Sequence, residues 1–245
     1  MSQAHTPQLL LVGHGSRDPR FADTVRRVRH AVEQRLPDVN VTLAFLDLDE
    51  PLVGDALDHT TGDCVVVPLL LAPGYHSEID LPGIVDAHRG ERTVAITPVV
   101  GGRGLTQALA HRLVEAGTDD GDGILLTAVG SSKPMAALVA RRRAIELSTL
   151  LHRPVEVVFA TQLGTDHVTL RNAVRRLHTA GARRIAVSPY FLSAGLLTER
   201  VENALDRFTA NTLFAGPIGA HPALVESIVL RYQASVSAAT LVARA

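Results

Sequence analysis

Hydrophobic residues follow two different spacings along this chain. Short, continuous apolar runs are typical of strands that are buried on both faces of a parallel sheet. Between them, apolar residues recur every three or four positions, as from Phe21 to Leu36, which predicts amphipathic helices. The continuous runs predict eight strands, at residues 8–13, 39–46, 64–71, 93–98, 124–129, 155–160, 184–192 and 211–215. This alternation indicates an α/β fold with mainly parallel sheets.

The two halves of the chain resemble each other. Residues 11–16 align with residues 126–131, and residues 68–74 align with residues 189–195. A polar, glycine-rich segment at residues 117–123 separates the halves. We therefore expect two similar α/β domains related by internal duplication, each a mainly parallel four-stranded sheet flanked by helices. Residues 1–119 form the predicted N-terminal domain and residues 120–245 the predicted C-terminal domain.

Two histidines, His14 and His76, follow the first and third predicted strands. In the common strand order 2-1-3-4 these two strands are neighbours, about 4.8 Å apart, and their carboxyl ends share one edge. Asp47 follows the second strand and reaches the same edge. Two imidazoles and a carboxylate suit divalent ions such as Fe²⁺, Co²⁺, Ni²⁺ or Zn²⁺, and imidazoles also perform acid–base chemistry. The sequence therefore predicts a metal site with open coordination positions, or an acid–base site.

The repeat provides an internal control for this interpretation. The aligned positions in the second half hold Val129 in place of His14 and Leu197 in place of His76. The joint loss of both histidines favours a chemical role over a purely structural one, with one active half and one scaffold half. The alternatives are that each histidine only hydrogen-bonds within its loop, and that Asp47 only caps the helix that starts near Pro51, a role that Asp49 could also have.

Composition excludes several other classes of protein. With 245 residues, a formal net charge of −1 and 4% aromatic residues, the chain offers neither the basic excess nor the stacking platforms of a nucleic-acid-binding protein. Its single cysteine, Cys64, cannot form an internal disulfide and is expected to be a buried core residue. We identify no signal peptide and no apolar run of transmembrane length, so we expect a cytoplasmic protein without a membrane partner.

Three ordered motifs carry a family resemblance. They are His14-Gly15-Ser16-Arg17 after the first strand, Phe45-Leu46-Asp47 with Pro51 after the second, and Gly74-Tyr75-His76 with Asp80-Leu81-Pro82 after the third. In this order they resemble the class II chelatases of the sirohydrochlorin chelatase family, which includes the cobaltochelatases and ferrochelatases of cobalamin and siroheme synthesis. The resemblance spans essentially the whole chain and implies two chelatase-like domains.

The resemblance implies ATP-independent insertion of a divalent metal ion into sirohydrochlorin, an acidic tetrapyrrole. His14 and His76 match the two histidines that bind the incoming ion, which is a substrate, Fe²⁺, Co²⁺ or Ni²⁺; no organic cofactor is implied. Two-domain members often have Glu where this chain has the shorter Asp47, so Asp47 is expected to ligate the metal directly, or to act through water or by hydrogen bonding. Glu78 and Asp80 are further carboxylates near the site. An imidazole or a carboxylate could accept the pyrrole protons.

The substrate's carboxylates require cationic or hydrogen-bonding partners, and its flat ring requires room beside the backbone. The loops that follow the carboxyl ends of the predicted strands, here called the rim loops, supply such residues. We expect the following to contact substrate: Ser16, Arg17, Gly74, Tyr75, Arg103, Ser131 and Lys133. A monomer and a homodimer are both compatible with the sequence.

Three rival functions are compatible with some of these features. The first is a non-enzymatic carrier of metal or tetrapyrrole that uses the same residues. The second is a hydrolase or phosphoryl-transfer enzyme with His14 as nucleophile or base, although the Arg-His-Gly signature of histidine phosphatases is absent. The third is a nucleotide-binding module, which Asp18 disfavours because it occupies the third glycine position of the dinucleotide fingerprint.

Overall fold

A computed structural model describes residues 6–102, 104–130, 134–209 and 211–242 of the chain. The strands are β1 (Gln8–Gly13), β2 (Val41–Phe45), β3 (Cys64–Pro68), β4 (Val94–Ile96), β5 (Asp122–Ala128), β6 (Val155–Phe159), β7 (Arg184–Pro189) and β8 (Thr212–Phe214). The α-helices are α1 (Pro19–Arg35), α2 (Val53–Asp58), α3 (Leu81–His88), α4 (Gly104–Glu115), α5 (Pro134–Leu151), α6 (Val168–Thr179), α7 (Leu196–Leu205) and α8 (Pro222–Val242). A π-helical turn, His76–Asp80, precedes α3, and a 3₁₀ turn, Thr165–His167, precedes α6.

The strands form two parallel sheets of the same topology. Their orders are β2-β1-β3-β4 and β6-β5-β7-β8, which confirms the predicted order and the predicted pair of similar α/β domains. The observed strands differ from the predicted ones by up to three residues at their ends. The difference arises because buried apolar residues continue beyond the last paired residue, as at Leu69 after β3 and at Phe191 after β7.

The first sheet has a continuous apolar core because helices cover it. Residues 9–12 of β1 are fully buried. Helix α1 lies after β1 and buries the stripe Val25, Val28 and Val32, as its apolar spacing predicts. The helix begins with Pro19 after the N-cap Asp18, whose carboxylate accepts a hydrogen bond of 3.1 Å from the backbone N–H of Arg20. This cap fixes the direction in which the chain leaves the end of β1.

The compact units of the structure differ from the predicted domain ranges. Unit 1 consists of the residues up to Gly101 together with those from Ala220 onward, and unit 2 consists of Gly102–Gly219. Helix α4, which falls in the predicted N-terminal domain, therefore belongs to unit 2. Helix α8, which falls in the predicted C-terminal domain, belongs to unit 1. The ranges 1–119 and 120–245 remain our proposal for the two sequence repeats.

The contacts of the exchanged helices explain this difference. In unit 1, α8 packs against β3 and α1, and Tyr232 donates a hydrogen bond of 2.6 Å from its hydroxyl to the carbonyl of Pro7. In unit 2, α4 packs against α5 and β7, and the Thr106 hydroxyl donates to the Glu146 carboxylate at 2.7 Å. Each helix thus completes the covering of the sheet from the other half of the chain.

No helix within the described ranges is long and apolar enough to cross a membrane.

Candidate functional site

The rings of His14 and His76 lie against each other at the carboxyl edge of the first sheet. Their centroids are 4.5 Å apart and their planes are nearly perpendicular, at 89°. Strands β1 and β3 are paired neighbours, so the loops that follow them leave from the same edge. A metal ion is bound by imidazole nitrogen at about 2.0–2.1 Å. Two rings at this separation are therefore within reach of one ion, and the predicted convergence of the two histidines is present in the structure.

Backbone hydrogen bonds fix the position of His14. Its carbonyl accepts a bond of 3.0 Å from the N–H of Asp47, and the neighbouring carbonyl of Gly13 accepts one of 3.0 Å from Leu46. The Nδ1 atom of His14 lies 3.2 Å from the carbonyl of Gly15, so a tautomer protonated at Nδ1 leaves Nε2 with a lone pair. The ring is half-buried at the edge of the sheet.

Gly15 permits the close approach of the two loops that hold His14. Its φ is +94°, and a Cβ atom at this position would lie 1.6 Å from the carbonyl oxygen of Asp47. Every other amino acid would collide with this backbone oxygen. The glycine is therefore required by packing as well as by conformation.

The side chain of Asp80 orients His76. The Nδ1 atom of His76 is 2.7 Å from an Asp80 carboxylate oxygen, and the two residues lie at the ends of the π-helical turn. A carboxylate that accepts a hydrogen bond from the Nδ1–H group leaves Nε2 unprotonated and free to bind a metal ion, as in many metal sites. The side chain of His76 is 48% exposed, so an ion can reach it. Asp80 makes no capping hydrogen bond to α3, which leaves its bond to His76 as its observed role.

Asp47 occupies the neighbouring loop but does not complete a three-ligand cluster. Its side chain is exposed, and its carboxylate accepts a hydrogen bond of 2.8 Å from the backbone N–H of Leu48. Among the described residues, no group of three or more His, Cys, Asp or Glu side chains could hold a metal ion. The structure thus brings the two imidazoles together, whereas direct ligation of the metal by Asp47 stays a prediction.

The predicted substrate residues of the first half lie on the rim loops. Ser16 is held within its loop, because its N–H donates to the Asp49 carboxylate at 2.9 Å and its hydroxyl accepts from the Asp18 N–H at 3.0 Å. Arg17 is exposed, and a Cβ atom on Gly74 would meet open space.

Tyr75 is also exposed, and its ring centroid lies 6.2 Å from that of His76. The other predicted substrate residues, Arg103, Ser131 and Lys133, lie outside the described residues.

The second unit repeats the backbone of this site without its histidines. Gly130 has a φ of +93°, close to that of Gly15, and Val129 accepts a hydrogen bond of 3.0 Å from Thr161 just as His14 does from Asp47. In the loop after β7, the N–H of Gly195 donates to the Thr198 hydroxyl at 3.0 Å, the same pattern that Gly74 forms with Ser77. The alignment of the halves is therefore correct at the level of single hydrogen bonds.

Cys64 takes no part in the site. It is a buried residue of β3, and burial raises the pKa of its thiol to about 11. A thiol with this pKa stays protonated at neutral pH and is a poor metal ligand. The predicted core role of Cys64 agrees with this environment.

Sequence reasoning gave too little weight to two residues near the histidines. Asp80 was one of several nearby carboxylates, although its spacing of four residues from His76 is the signal that could have singled it out. The sequence indicates Asp49 only as a helix cap, whereas in the structure it fastens the loop after β2 to Ser16. Its role depends on a contact between two loops that no local pattern encodes.

Comparison with known proteins places the chain in a family. The sequence model of the CbiX family matches residues 8–116 and again residues 123–235. A sirohydrochlorin cobaltochelatase of Priestia megaterium is 26% identical over 246 residues, covering 91% of this chain and 78% of that protein. One of Methanococcus maripaludis is 32% identical over 87 residues, which are 34% of this chain and 60% of that protein.

Solved structures share the fold. SirB from Bacillus subtilis with Fe³⁺ superposes with a TM-score of 0.75 at 21% identity, covering 96% of this chain and 98% of that one. SirB from the subspecies spizizenii in complex with cobalt gives a TM-score of 0.74 at 20% identity, covering 95% and 96%. The family model and the curated relatives confirm the resemblance to class II chelatases that the three motifs indicate. Because the family model matches both halves, the chain belongs to the CbiX family.

Proposed function

We propose that this protein inserts a divalent metal ion, Fe²⁺ or Co²⁺, into sirohydrochlorin without ATP. The observation that carries the proposal is the contact between the rings of His14 and His76, at 4.5 Å between centroids, on the rim of unit 1. Family membership supports the same reaction, since several relatives are named sirohydrochlorin cobaltochelatases. Such a reaction serves siroheme or cobalamin synthesis.

The two imidazoles receive the metal ion first. Nitrogen ligands suit Fe²⁺, Co²⁺ and Ni²⁺, and two protein ligands leave most coordination positions to water and to the incoming macrocycle. Asp80 holds the Nδ1 proton of His76 and so directs Nε2 toward the ion. An ion held by few ligands can be transferred, whereas a structural site would enclose it with four.

Insertion then exchanges protein ligands for pyrrole nitrogens. Two pyrrole N–H protons leave the macrocycle as the ion enters. A histidine that has released the metal is a suitable acceptor near neutral pH, and the exposed carboxylate of Asp47 is a second one. Holding the ion and the ring together removes much of the entropic cost of their encounter.

The rim loops supply the contacts for the macrocycle. We propose that Arg17 pairs with a peripheral carboxylate, as guanidinium groups do, and that Gly74 and Tyr75 lie beside the ring. Ser16 supports this loop through its hydrogen bonds to Asp18 and Asp49. Arg103, Ser131 and Lys133 remain proposed partners of the carboxylates on the evidence of sequence position alone.

The test is metal insertion followed by absorbance, with purified protein, sirohydrochlorin and Fe²⁺, Co²⁺ or Ni²⁺ in turn. We expect many turnovers per chain, and loss of the enzyme-dependent rate in the His14→Ala, His76→Ala double variant. The matched control is His30→Ala, since His30 is an exposed histidine on α1. Full activity in the double variant would exclude this mechanism. Stoichiometric binding without turnover would identify a carrier instead.

A further inference from the structure

Three large hydrophobic side chains in the described rim loops of unit 1 are at least half exposed: Leu48 (50%), Ile79 (55%) and Tyr75 (56%). Tyr75 and Ile79 flank His76 in the chain. Leu48 follows Asp47, whose N–H is bonded to the carbonyl of His14. Apolar surface in contact with water is unfavourable. Its presence beside polar functional groups is typical of a ligand site.

The backbone of Leu48 is strained as well. Its φ is +66°, and the N–H of Asp49 donates to the carbonyl of Asp47 at 2.8 Å. These features describe a three-residue γ-turn with a positive central φ, which is rare and strained. A branched apolar residue is among the least suited to this conformation, whereas glycine or asparagine adopts it readily. Strain of this kind is concentrated at functional sites.

Both ends of the turn are fastened to the loop that carries His14. Asp47 donates its N–H to the carbonyl of His14 at 3.0 Å, and Asp49 accepts the N–H of Ser16 at 2.9 Å. The strain is therefore maintained by contacts on either side of Leu48. An exposed leucine is thereby held in a set position relative to the metal-binding histidine.

We propose that Leu48 and Ile79 contact the apolar face of the tetrapyrrole ring while His14 and His76 present the metal to it. This inference rests on the proposed function. A tetrapyrrole is a flat conjugated ring with carboxylates at its edge, and the ion must enter through one face. Side chains next to the metal ligands therefore meet that face. When the ring removes a leucine-sized side chain from contact with water, the affinity for the ring rises about 10- to 100-fold.

The variant Leu48→Asn tests the proposal because it has two opposite effects. Relief of strain at residue 48 raises the midpoint temperature of thermal unfolding by roughly 2–4 °C. Loss of the apolar contact raises the dissociation constant for metal-free sirohydrochlorin about tenfold. The affinity for Co²⁺ alone stays unchanged, because the variant keeps the hydrogen bonds from Asp47 to His14 and from Ser16 to Asp49 that position the His14 loop. Ile79→Ser weakens ring binding in the same way and does not raise the midpoint.

Two variants serve as matched controls. His152 also has a positive φ, of 53°, in the turn after α5 of unit 2, and His152→Asn leaves ring binding unchanged. Leu230 is an exposed leucine on α8, and Leu230→Ser leaves ring binding unchanged. These controls separate a substitution to asparagine at a positive-φ position, and general loss of apolar surface, from contact with the ring.

The outcomes are distinct. The proposal is overturned if Leu48→Asn or Ile79→Ser binds the ring as the wild-type protein does, or if Leu48→Asn weakens Co²⁺ binding to the same extent. Ring binding is measured without metal and without turnover. A wild-type protein that binds the ring but inserts no metal therefore refutes the proposed function and leaves the Leu48 contact supported if the variants still differ.

Discussion

Replacement of Gly15 by alanine perturbs the packing on which the position of His14 depends. The added Cβ atom would lie 1.6 Å from the carbonyl oxygen of Asp47 and 2.8 Å from its carbonyl carbon, and φ is +94°. The positive φ costs about 1–2 kcal/mol for a residue other than glycine. Separating two backbone segments adds an overpacking cost of about 1–3 kcal/mol. We therefore expect Gly15→Ala to lower the free energy of unfolding by about 2–5 kcal/mol.

Gly62→Ala is the matched control. Gly62 has a φ of +85° but nothing within 4 Å of its ideal Cβ position, so alanine there carries only the conformational cost. The assay is urea unfolding followed by circular dichroism, together with calorimetric titration of Co²⁺. In Gly15→Ala the affinity for Co²⁺ falls about 10- to 100-fold, because the hydrogen bond that positions His14 is broken. A Gly15→Ala variant that is as stable as Gly62→Ala and binds Co²⁺ normally would show that the close contact with Asp47 does not position His14.

Three further predictions concern the Asp80 carboxylate, the Arg184–Asp122 ion pair and the Cys64 thiol. Asp80→Asn removes the negative charge beside His76 and lowers the affinity for Co²⁺ about tenfold, measured by calorimetry, whereas Asp80→Glu restores part of it. Arg184→Met removes both Arg184 hydrogen bonds to the Asp122 carboxylate, whose side chain is 1% exposed, and leaves it the bond from the backbone N–H of Asp119, so the free energy of unfolding falls by about 3 kcal/mol. Because the Arg184 hydrogen bond lowers the pKa of Asp122, the pair stabilises the wild-type protein above about pH 4. That contribution is lost as the pH falls through the lowered pKa, so the variant should show a smaller acid-induced change in stability. Cys64, with its pKa raised to about 11, should react with iodoacetamide at pH 8 only after unfolding, as mass spectrometry would show.

The sheets could be predicted because strands buried on both faces have an unmistakable pattern. Residues 9–12 form a continuous apolar run, and all four are fully buried in β1. Parallel sheets with helical crossovers permit few strand orders, so the order 2-1-3-4 could be inferred, and with it the convergence of His14 and His76.

The exchange of α4 and α8 between the units could not be predicted. An amphipathic stripe shows that a helix has a face to bury, but it does not show which sheet covers that face. The decisive contacts, such as the bond from Tyr232 to Pro7, join residues that are far apart in the chain. The order of the two repeats along the chain therefore predicts domain boundaries that differ from those of the two packed units.

The local details of the site also depend on tertiary contacts. Asp80 becomes the partner of His76 through a π-helical turn, and Leu48 adopts a positive φ because Asp47 and Asp49 are both bonded to the loop that carries His14. Neither conformation follows from the intrinsic preference of its residues. Local propensity is overruled here by the contacts around the two histidines, as is common at functional sites.

We propose that His14 and His76 hold one divalent cation between them. Anomalous diffraction at the cobalt edge, from crystals of the protein with Co²⁺, tests it directly. We expect a single strong peak shared by the Nε2 atoms of both rings, and we expect it to disappear in the double alanine variant. Cobalt bound elsewhere, or rings that turn away from each other with no shared peak, would contradict it.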